Sequence, residues 1–267
     1  MTAILFGHNK PKNIPGILFH TILPHPGMNL SEYSQTKFRN FLLALNAQNF
    51  KTVRVNEATG ESGFSAKTPK CLLTFDDGLE SFYKYALPVL QETNNVATIF
   101  CVAGYLGNVS DWDVYPQNRH LNEKQIREIS DLGHEIGSHT LTHANLPFLN
   151  DKDLEIELRK SKDILENIIG KPVTSLSFPH GSWNKRVWEK AQDAGYTAAT
   201  LYRNHGSAKS NQFPVFGAFH FDSTQTLLKR VSPSNTSFSG SIAAAKLLSH
   251  FSKGTPVWKF RKCYKIL

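Results

Sequence analysis

The feature that most constrains the fold of this chain is an alternation of short apolar segments with amphipathic ones. Segments 71–75 and 97–102 are apolar runs typical of buried strands, and segment 52–55 also fits a strand. Segments 36–47, 80–91 and 151–168 carry apolar residues at helical spacing. Repeated strand and helix order predicts a parallel sheet covered by helices. About seven such units fit a closed or nearly closed barrel better than an open sheet, so the sequence predicts an α/β barrel.

The composition indicates a globular protein with a hydrophobic core. Of the 267 residues, 40% are hydrophobic and 19% are charged, which disfavours disorder. No apolar run approaches the roughly 20 residues that span a membrane, and the first residues show no basic segment followed by a long apolar one. The three cysteines fit neither a disulfide framework nor a cysteine-based zinc cluster. We therefore expect a cytoplasmic protein.

The excess positive charge of the chain lies at its C-terminal end. The net charge is +8, and no acidic residue follows Asp222. The basic residues after that point are Lys229, Arg230, Lys246, Lys253, Lys259, Arg261, Lys262 and Lys265. Trp258, Phe260 and Tyr264 lie among the last of them, a pattern suited to a membrane interface. We expect peripheral contact with an anionic membrane surface or a solvated terminal face, and no nucleic acid partner.

The same change in composition suggests the domain organisation. Residues 1–231 are expected to form the barrel, with its core at 14–231. Residues 232–267 are expected to form a basic C-terminal helix and tail. The Ser-rich stretch 232–241 is a candidate hinge between the two.

Polar residues of unusual type follow three of the predicted strands, in segments 74–78, 137–143 and 177–181. In a parallel barrel these strand ends lie on one face. The first segment contains Asp76 and Asp77, whose like charges are unfavourable together unless a cation compensates them. A strand that ends here, followed by a turn and a metal ion, removes the difficulty.

The second segment contributes two histidines four residues apart. His139 and His143 would lie on one side of a helical turn or tight loop, a common arrangement for zinc. Combined with an aspartate at a neighbouring strand end, they indicate a metal site. This ligand set alone also permits a 2-His-1-carboxylate iron oxygenase, which the adjacent second aspartate disfavours. An aspartyl phosphatase would need an Asp-x-Asp spacing that the chain lacks at Asp76-Asp77.

Three sequence motifs coincide with these strand ends: LLTFDDG, EIGSHTLTHANL and SFPHGSWN. They resemble the three motifs of the polysaccharide deacetylases of the NodB-homology type, carbohydrate esterase family 4. The resemblance covers roughly residues 15–231 and is strongest from 71 to 199. It implies a distorted (β/α)7 barrel.

The resemblance also implies an activity and a set of roles. Asp77, His139 and His143 would hold one divalent metal ion, with zinc as the default and cobalt, nickel or manganese as alternatives. Asp76 would be the catalytic base. The protein would be a metal-dependent hydrolase that uses metal-bound water to remove an N-acetyl group from an amino sugar, oligosaccharide or polysaccharide. Its partner would be that N-acetylated carbohydrate.

The third motif departs from the family pattern. Members of the family often begin it with an arginine that orients the base, whereas this chain has Ser177. Substrate contacts are expected from the rest of the motif, at Pro179, His180, Gly181 and Trp183.

The family also carries a late histidine that acts as the general acid, and this chain has no clean copy of it. His220 is our candidate, with His250 and His180 as alternatives. His20, at the end of the first strand, could approach the metal site or be a core residue, and we expect the core position. These departures leave open a catalytically degenerate barrel that only binds carbohydrate, although Asp76 favours an enzyme. A nucleotide-linked, lipid-linked or free oligosaccharide is the expected substrate class.

Overall fold

The computed structural model describes residues 14–27, 29–59, 64–65, 68–110, 118–202 and 211–232. Among the helices of these residues, none combines the length and the apolar character that a membrane span requires. Apart from Ser232, the expected basic tail and its hinge lie outside the described residues. The tail helix and its membrane contact therefore stay predictions.

Eleven strands form in the described residues. They are β1 (Gly16–Phe19), β2 (Thr21–Leu23), β3 (Glu32–Ser34), β4 (Lys51–Val53), β5 (Phe64–Ser65), β6 (Thr68–Phe75), β7 (Thr98–Cys101), β8 (Glu135–Ser138), β9 (Ser175–Ser177), β10 (Ala198–Tyr202) and β11 (Gln212–Gly217). The α-helices are α1 (Gln35–Ala47), α2 (Val55–Ala58), α3 (Leu87–Glu92), α4 (Glu123–Asp131), α5 (Asp151–Ile169), α6 (Lys185–Asp193) and α7 (Thr224–Val231).

Seven strands close into a parallel barrel in the order β1, β6, β7, β8, β9, β10, β11. Strand β1 completes the ring because it pairs with β6 on one side and with β11 on the other. Gly16 thus lies opposite both Leu72 and Val215. The distorted (β/α)7 barrel expected from the sequence is confirmed.

The remaining strands lie outside the ring. Strand β4, predicted as one of the alternating units, pairs in parallel with the first half of β6, while β7 pairs with its second half. Strand β5 is antiparallel to β6, and β2 and β3 form a separate two-stranded sheet. The strand predicted near residue 52 therefore exists but does not belong to the barrel.

Helix boundaries follow local capping. The side chains of Asn122, Asn150 and Asn184 each accept a hydrogen bond from the backbone N–H three residues later, which fixes the start of α4, α5 and α6. From the sequence, the preference of asparagine for N-cap positions predicts the starts at Asn122 and Asn184, and leaves Asn150 and Asp151 as alternatives for α5. Helix α5 ends at Gly170, which adopts a left-handed conformation.

The helix predicted over residues 80–91 differs from the structure. Residues Phe82–Ala86 form a π-helical turn, and only Leu87–Glu92 is α-helical. Pro88 explains the difference because it has no N–H to donate to the carbonyl of Lys84, so the preceding turn widens. The wider turn places Phe82 against Phe75, with ring centroids 4.7 Å apart.

An aromatic cluster fills the core beneath the carboxyl ends of β1 and β6. Phe19 and Phe75, the last residues of these strands, stack with centroids 5.3 Å apart, and Phe38 meets both edge-on. Their burial removes large apolar surfaces from water, which stabilises the barrel directly below the residues that follow each strand. His20 and Asp76 are those residues.

A buried carboxylate occupies the opposite end of the strands. Glu135 accepts hydrogen bonds from the hydroxyls of Thr98 and Ser175, both at 2.7 Å, and from the N–H of Asn56 at 3.1 Å. Burial raises the pKa of Glu135, and these hydrogen bonds oppose the rise. This one side chain therefore joins β7, β8 and β9 to α2.

Replacing Glu135 tests this network. Glu135→Leu should lower the free energy of unfolding by about 2–4 kcal/mol, because two buried hydroxyls and a partly buried N–H lose their acceptor. Glu135→Gln should cost less, since its amide oxygen still accepts. Urea unfolding measures both, and a Leu variant as stable as the parent protein would contradict the account.

Candidate metal centre

Three neighbouring segments bring the predicted site residues to one rim of the barrel. Asp76 and Asp77 follow β6, His139 follows β8, and Phe178 follows β9. All barrel strands are parallel, so their carboxyl ends share this rim. The structure therefore places the three motifs side by side, as the sequence predicted.

Asp77, His139 and His143 form a compact group of potential ligands. Their ligand atoms all lie within 4.8 Å of one another. Oδ1 of Asp77 is 3.5 Å from Nε2 of His139 and 3.4 Å from Nε2 of His143. Both histidines are buried.

These distances fit a divalent metal ion. Donor atoms at 2.0–2.2 Å around a tetrahedral zinc ion are separated by about 3.3–3.5 Å, close to the spacings between Asp77 and each histidine. One carboxylate oxygen and two imidazole nitrogens are also ordinary zinc ligands. Three protein ligands leave coordination positions for water and substrate, as in catalytic rather than structural sites.

Backbone contacts orient the group. Nδ1 of His139 lies 2.9 Å from the carbonyl oxygen of Ser177, and a carbonyl can only accept, so Nδ1 carries the proton and Nε2 keeps its lone pair. Nδ1 of His120 donates in the same way to the carbonyl of Asp77 at 2.7 Å. Asp77 adopts a left-handed conformation with φ of 68°, which this contact helps to hold.

His120 was missed by the sequence analysis. It is buried in a short segment that bridges to Leu79, in the turn after Asp77 and Gly78. No motif or periodicity marks it in the sequence.

Asp76 lies beside this group rather than within it. Its Oδ2 accepts the hydroxyl of Ser177 at 3.0 Å and lies 3.9 Å from Nε2 of His139. Its Oδ1 is buried and has no hydrogen-bond partner among the described residues. Burial raises the pKa of Asp76, and the nearby Asp77 charge adds to the rise, whereas a proton on His139 or His20 and the Ser177 hydrogen bond would oppose it.

A second pair of histidines is in ring contact at the rim. The rings of His143 and His180 lie 4.5 Å apart at nearly right angles. Burial, followed by the charges of neighbouring histidines, holds the pKa of His143 well below its usual value. Burial likewise lowers the pKa of His180 to about 4. Both rings are therefore neutral near pH 7, the form in which imidazole donates a lone pair.

The other predicted substrate contacts lie in different surroundings. Pro179 is buried, while Gly181 belongs to the short 3-10 turn after β9, where its N–H donates to the carbonyl of Phe178 at 2.9 Å. Trp183 stacks on Phe178 with centroids 5.9 Å apart and packs against the core. Of the four residues, His180 contacts one of the potential ligands, His143, directly. Asp77, His139 and His143 are called the metal group below.

His220 and His20 also differ in their contacts. His220 follows β11, donates its N–H to Leu30 and accepts from Lys37 through its carbonyl. No hydrogen bond or ion pair joins it to Asp76 in the part of the chain that the structure describes. The structure favours the alternative given for His20 over a core position: the residue is half-buried and lies within electrostatic reach of Asp76 and His143.

Comparison with known proteins places the chain in a family. The family model described as Polysaccharide deacetylase matches residues 65–199. YxkH of Bacillus subtilis is 29% identical over 189 residues, which cover 70% of this chain and 63% of that protein. A chitooligosaccharide deacetylase of Sinorhizobium fredii is 27% identical over 132 residues, which cover 49% of this chain and 55% of that protein. The chain thus spans less than two thirds of these relatives.

Solved structures share the fold. The deacetylase PplD of Streptococcus pyogenes, in complex with acetate, superposes with a TM-score of 0.72 at 22% identity, covering 84% of this chain and all of that one. IcaB of Ammonifex degensii gives a TM-score of 0.68 at 20% identity, with 82% and 97% covered. The family match spans just over half of the chain and includes the ends of β6, β8 and β9, so this chain belongs to the polysaccharide deacetylase family.

Proposed function

We propose that this protein is a metal-dependent hydrolase that removes the acetyl group from an N-acetylated amino sugar within an oligosaccharide or polysaccharide. The observation that carries the proposal is the spacing of Asp77, His139 and His143 beside the buried carboxylate of Asp76. Relatives named chitin deacetylase, chitooligosaccharide deacetylase and peptidoglycan-N-acetylglucosamine deacetylase support the substrate class.

In this proposal, Asp77 Oδ1 and the Nε2 atoms of His139 and His143 hold one divalent ion. Zinc is the default for this donor set, and cobalt, nickel or manganese have the same ligands available. When bound, such an ion lowers the pKa of a coordinated water and polarises the acyl oxygen.

Asp76 is the proposed general base. Its Oδ1 has no competing hydrogen bond in the described residues, so it is available to take a proton from water. Its Oδ2 is held by the Ser177 hydroxyl, which fixes the carboxylate plane. Ser177 thereby orients the carboxylate of Asp76, a role that an arginine often has in other family members.

Departure of the amine requires a proton donor, and His220 is the proposed acid. Its support is its place after β11, at the same rim as Asp76. The substrate contacts proposed for Pro179, His180, Gly181 and Trp183 rest on the position of their turn after β9. Among them, His180 is supported by its ring contact with His143.

A carbohydrate-binding barrel without catalysis is the competing function. It predicts that sugar binds while no acetate is released. The Ser177–Asp76 hydrogen bond favours an enzyme, because a binding protein has no use for an oriented buried base. The experiment is elemental analysis of the purified protein combined with acetate release from N-acetylglucosamine oligomers, peptidoglycan fragments and nucleotide-linked N-acetylglucosamine.

The metal ligands can be tested by metal content. His139→Ala and His143→Ala should each strip most of the metal, because two protein donors hold an ion far less well than three. His25→Ala, which removes an exposed histidine, is the matched control and should keep full content. Mass spectrometry of the purified proteins gives the answer, and full occupancy in the double variant would refute the assignment.

The base can be tested without disturbing the ligands. Asp76→Asn should keep the metal and lower turnover by roughly 100-fold or more, the usual scale for loss of a general base. Ser177→Ala should keep the metal and lower turnover less, because Asp76 remains but loses one contact. Ser175→Ala, which removes a hydroxyl at the other end of β9, should turn over normally. Unchanged acetate release in Asp76→Asn would refute the role.

We further propose that residues 256–267 bring the enzyme to an anionic membrane surface, where a lipid-linked glycan would be within reach. Each basic residue near such a surface contributes about 1 kcal/mol, screened beyond about 8 Å at physiological salt. The full chain should therefore co-sediment with anionic vesicles at low salt more than a chain ending at Thr255. Equal sedimentation of the two chains would exclude this role for the tail.

A further inference from the structure

Glu157 is a buried carboxylate that takes no part in the chemistry proposed above. It lies on α5 and faces the loop between the two metal-binding histidines. Its Oε2 accepts the N–H groups of Leu141 and Thr142, each at 2.9 Å. Its Oε1 accepts the Thr142 hydroxyl. All three donors lie between His139 and His143.

This loop has a backbone that needs outside support. Thr140 and His143 both adopt left-handed conformations, with φ of 68° and 60°. Such conformations cost about 1–2 kcal/mol for each residue with a side chain. Without contacts that hold the intervening N–H groups, the loop would relax and carry the His143 imidazole away from Asp77.

The opposite side of the loop is held by the turn after β7. The N–H of Ala103 donates to the carbonyl of Thr140 at 3.0 Å, and the N–H of Gly104 donates to the carbonyl of Leu141 at 2.8 Å. A Cβ atom at Gly104 would lie 2.5 Å from the Leu141 oxygen, so only glycine allows this approach. The turn after β7 thus fixes the carbonyls of Thr140 and Leu141, and Glu157 fixes the N–H groups of Leu141 and Thr142.

Burial of the Glu157 carboxylate has a cost in desolvation free energy. The hydrogen-bond partners of the Glu157 carboxylate in the described residues are all uncharged, and a buried charge is tolerated only where hydrogen bonds replace water. An apolar residue would fill the space against β8 but would leave two N–H groups without an acceptor. The carboxylate is the group that satisfies both with one oxygen.

We propose that Glu157 is a positioning residue of the metal centre. It fixes residues 140–142, and through them keeps the His139 and His143 Nε2 atoms 3.5 and 3.4 Å from Asp77 Oδ1. Its role is to hold the ligand atoms at the spacing that an ion requires. This inference rests on the metal site of the proposed function.

The test compares two buried glutamates at opposite ends of the barrel. Glu157→Leu and Glu135→Leu each remove a carboxylate with three hydrogen bonds, but only the first should alter metal binding. Titration of the metal-free proteins with Co²⁺, followed by visible absorption, measures the affinity. Glu157→Leu should bind Co²⁺ about 10–100-fold more weakly, the usual effect of losing a group that orients a ligand. Glu135→Leu should stay close to the parent protein.

Glu157→Gln provides the rescue. Its amide oxygen can accept both N–H groups while its NH₂ donates to the Thr142 hydroxyl oxygen, so the loop keeps its contacts. Its Co²⁺ affinity should lie within about threefold of the parent value. Saturating Co²⁺ should restore acetate release by Glu157→Leu with little change in KM, because the residue acts through metal occupancy and not on the sugar.

Several outcomes would overturn the inference. They are unchanged Co²⁺ affinity in Glu157→Leu and an equal loss in Glu135→Leu, which would indicate a general effect of stability. If circular dichroism shows that Glu157→Leu does not fold, Thr142→Val decides: it should weaken Co²⁺ binding several-fold, and unchanged binding contradicts the proposal. A parent protein that binds no Co²⁺ would instead refute the proposed function, so the two failures are distinct.

Discussion

The pairing of β1 with both β6 and β11 is the interaction on which the site depends. It turns a twisted parallel sheet into a ring, so that every barrel strand ends at the same rim. Residues far apart in sequence then meet: the hydroxyl of Ser177 and the carboxylate of Asp76 are 101 positions apart and 3.0 Å from each other. The aromatic rings of Phe19 and Phe75 seal the space directly below.

Ser177 supports both halves of the proposed chemistry. Its hydroxyl holds Asp76 and its carbonyl holds His139, so one residue of β9 aligns the base and a metal ligand together. An arginine at this position would add a positive charge and favour the ionised carboxylate. Serine adds a hydrogen bond without a charge, which leaves burial as the main influence on the pKa of Asp76. The Asp76 carboxylate therefore lacks the stabilising cation that an arginine at this position would supply.

Sequence patterns were sufficient where local rules decide the structure. Asparagine caps fixed the starts of three helices, and alternation of apolar segments predicted the barrel. The residues of the metal group were found because their types and spacing are unusual. Glu157 gave no such signal: it sits between Ile156 and Leu158 in a charged amphipathic helix, where an exposed glutamate is the ordinary expectation. Only the fold shows that it points to the loop.

Other features of the structure depend on tertiary packing, which the sequence patterns do not show. Trp183 stacks on Phe178 and packs against the core, contacts that its motif does not show, and its role towards substrate stays a prediction. His20 was expected in the core, but β1 ends before it and leaves it at the rim. The π-helical turn before Pro88 follows from a missing N–H, which the apolar periodicity of that segment does not show.

The position of β1 has a consequence for biosynthesis. As the chain leaves the ribosome, β1 can pair with β6 early, but its second edge has no partner until β11 has been made. Until then the nascent sheet has two unpaired edges, which are templates for association with other chains. Contacts between such distant segments also fold slowly. The newly made protein is thus most exposed to aggregation just before its last barrel strand emerges, after every proposed metal ligand has already been synthesised.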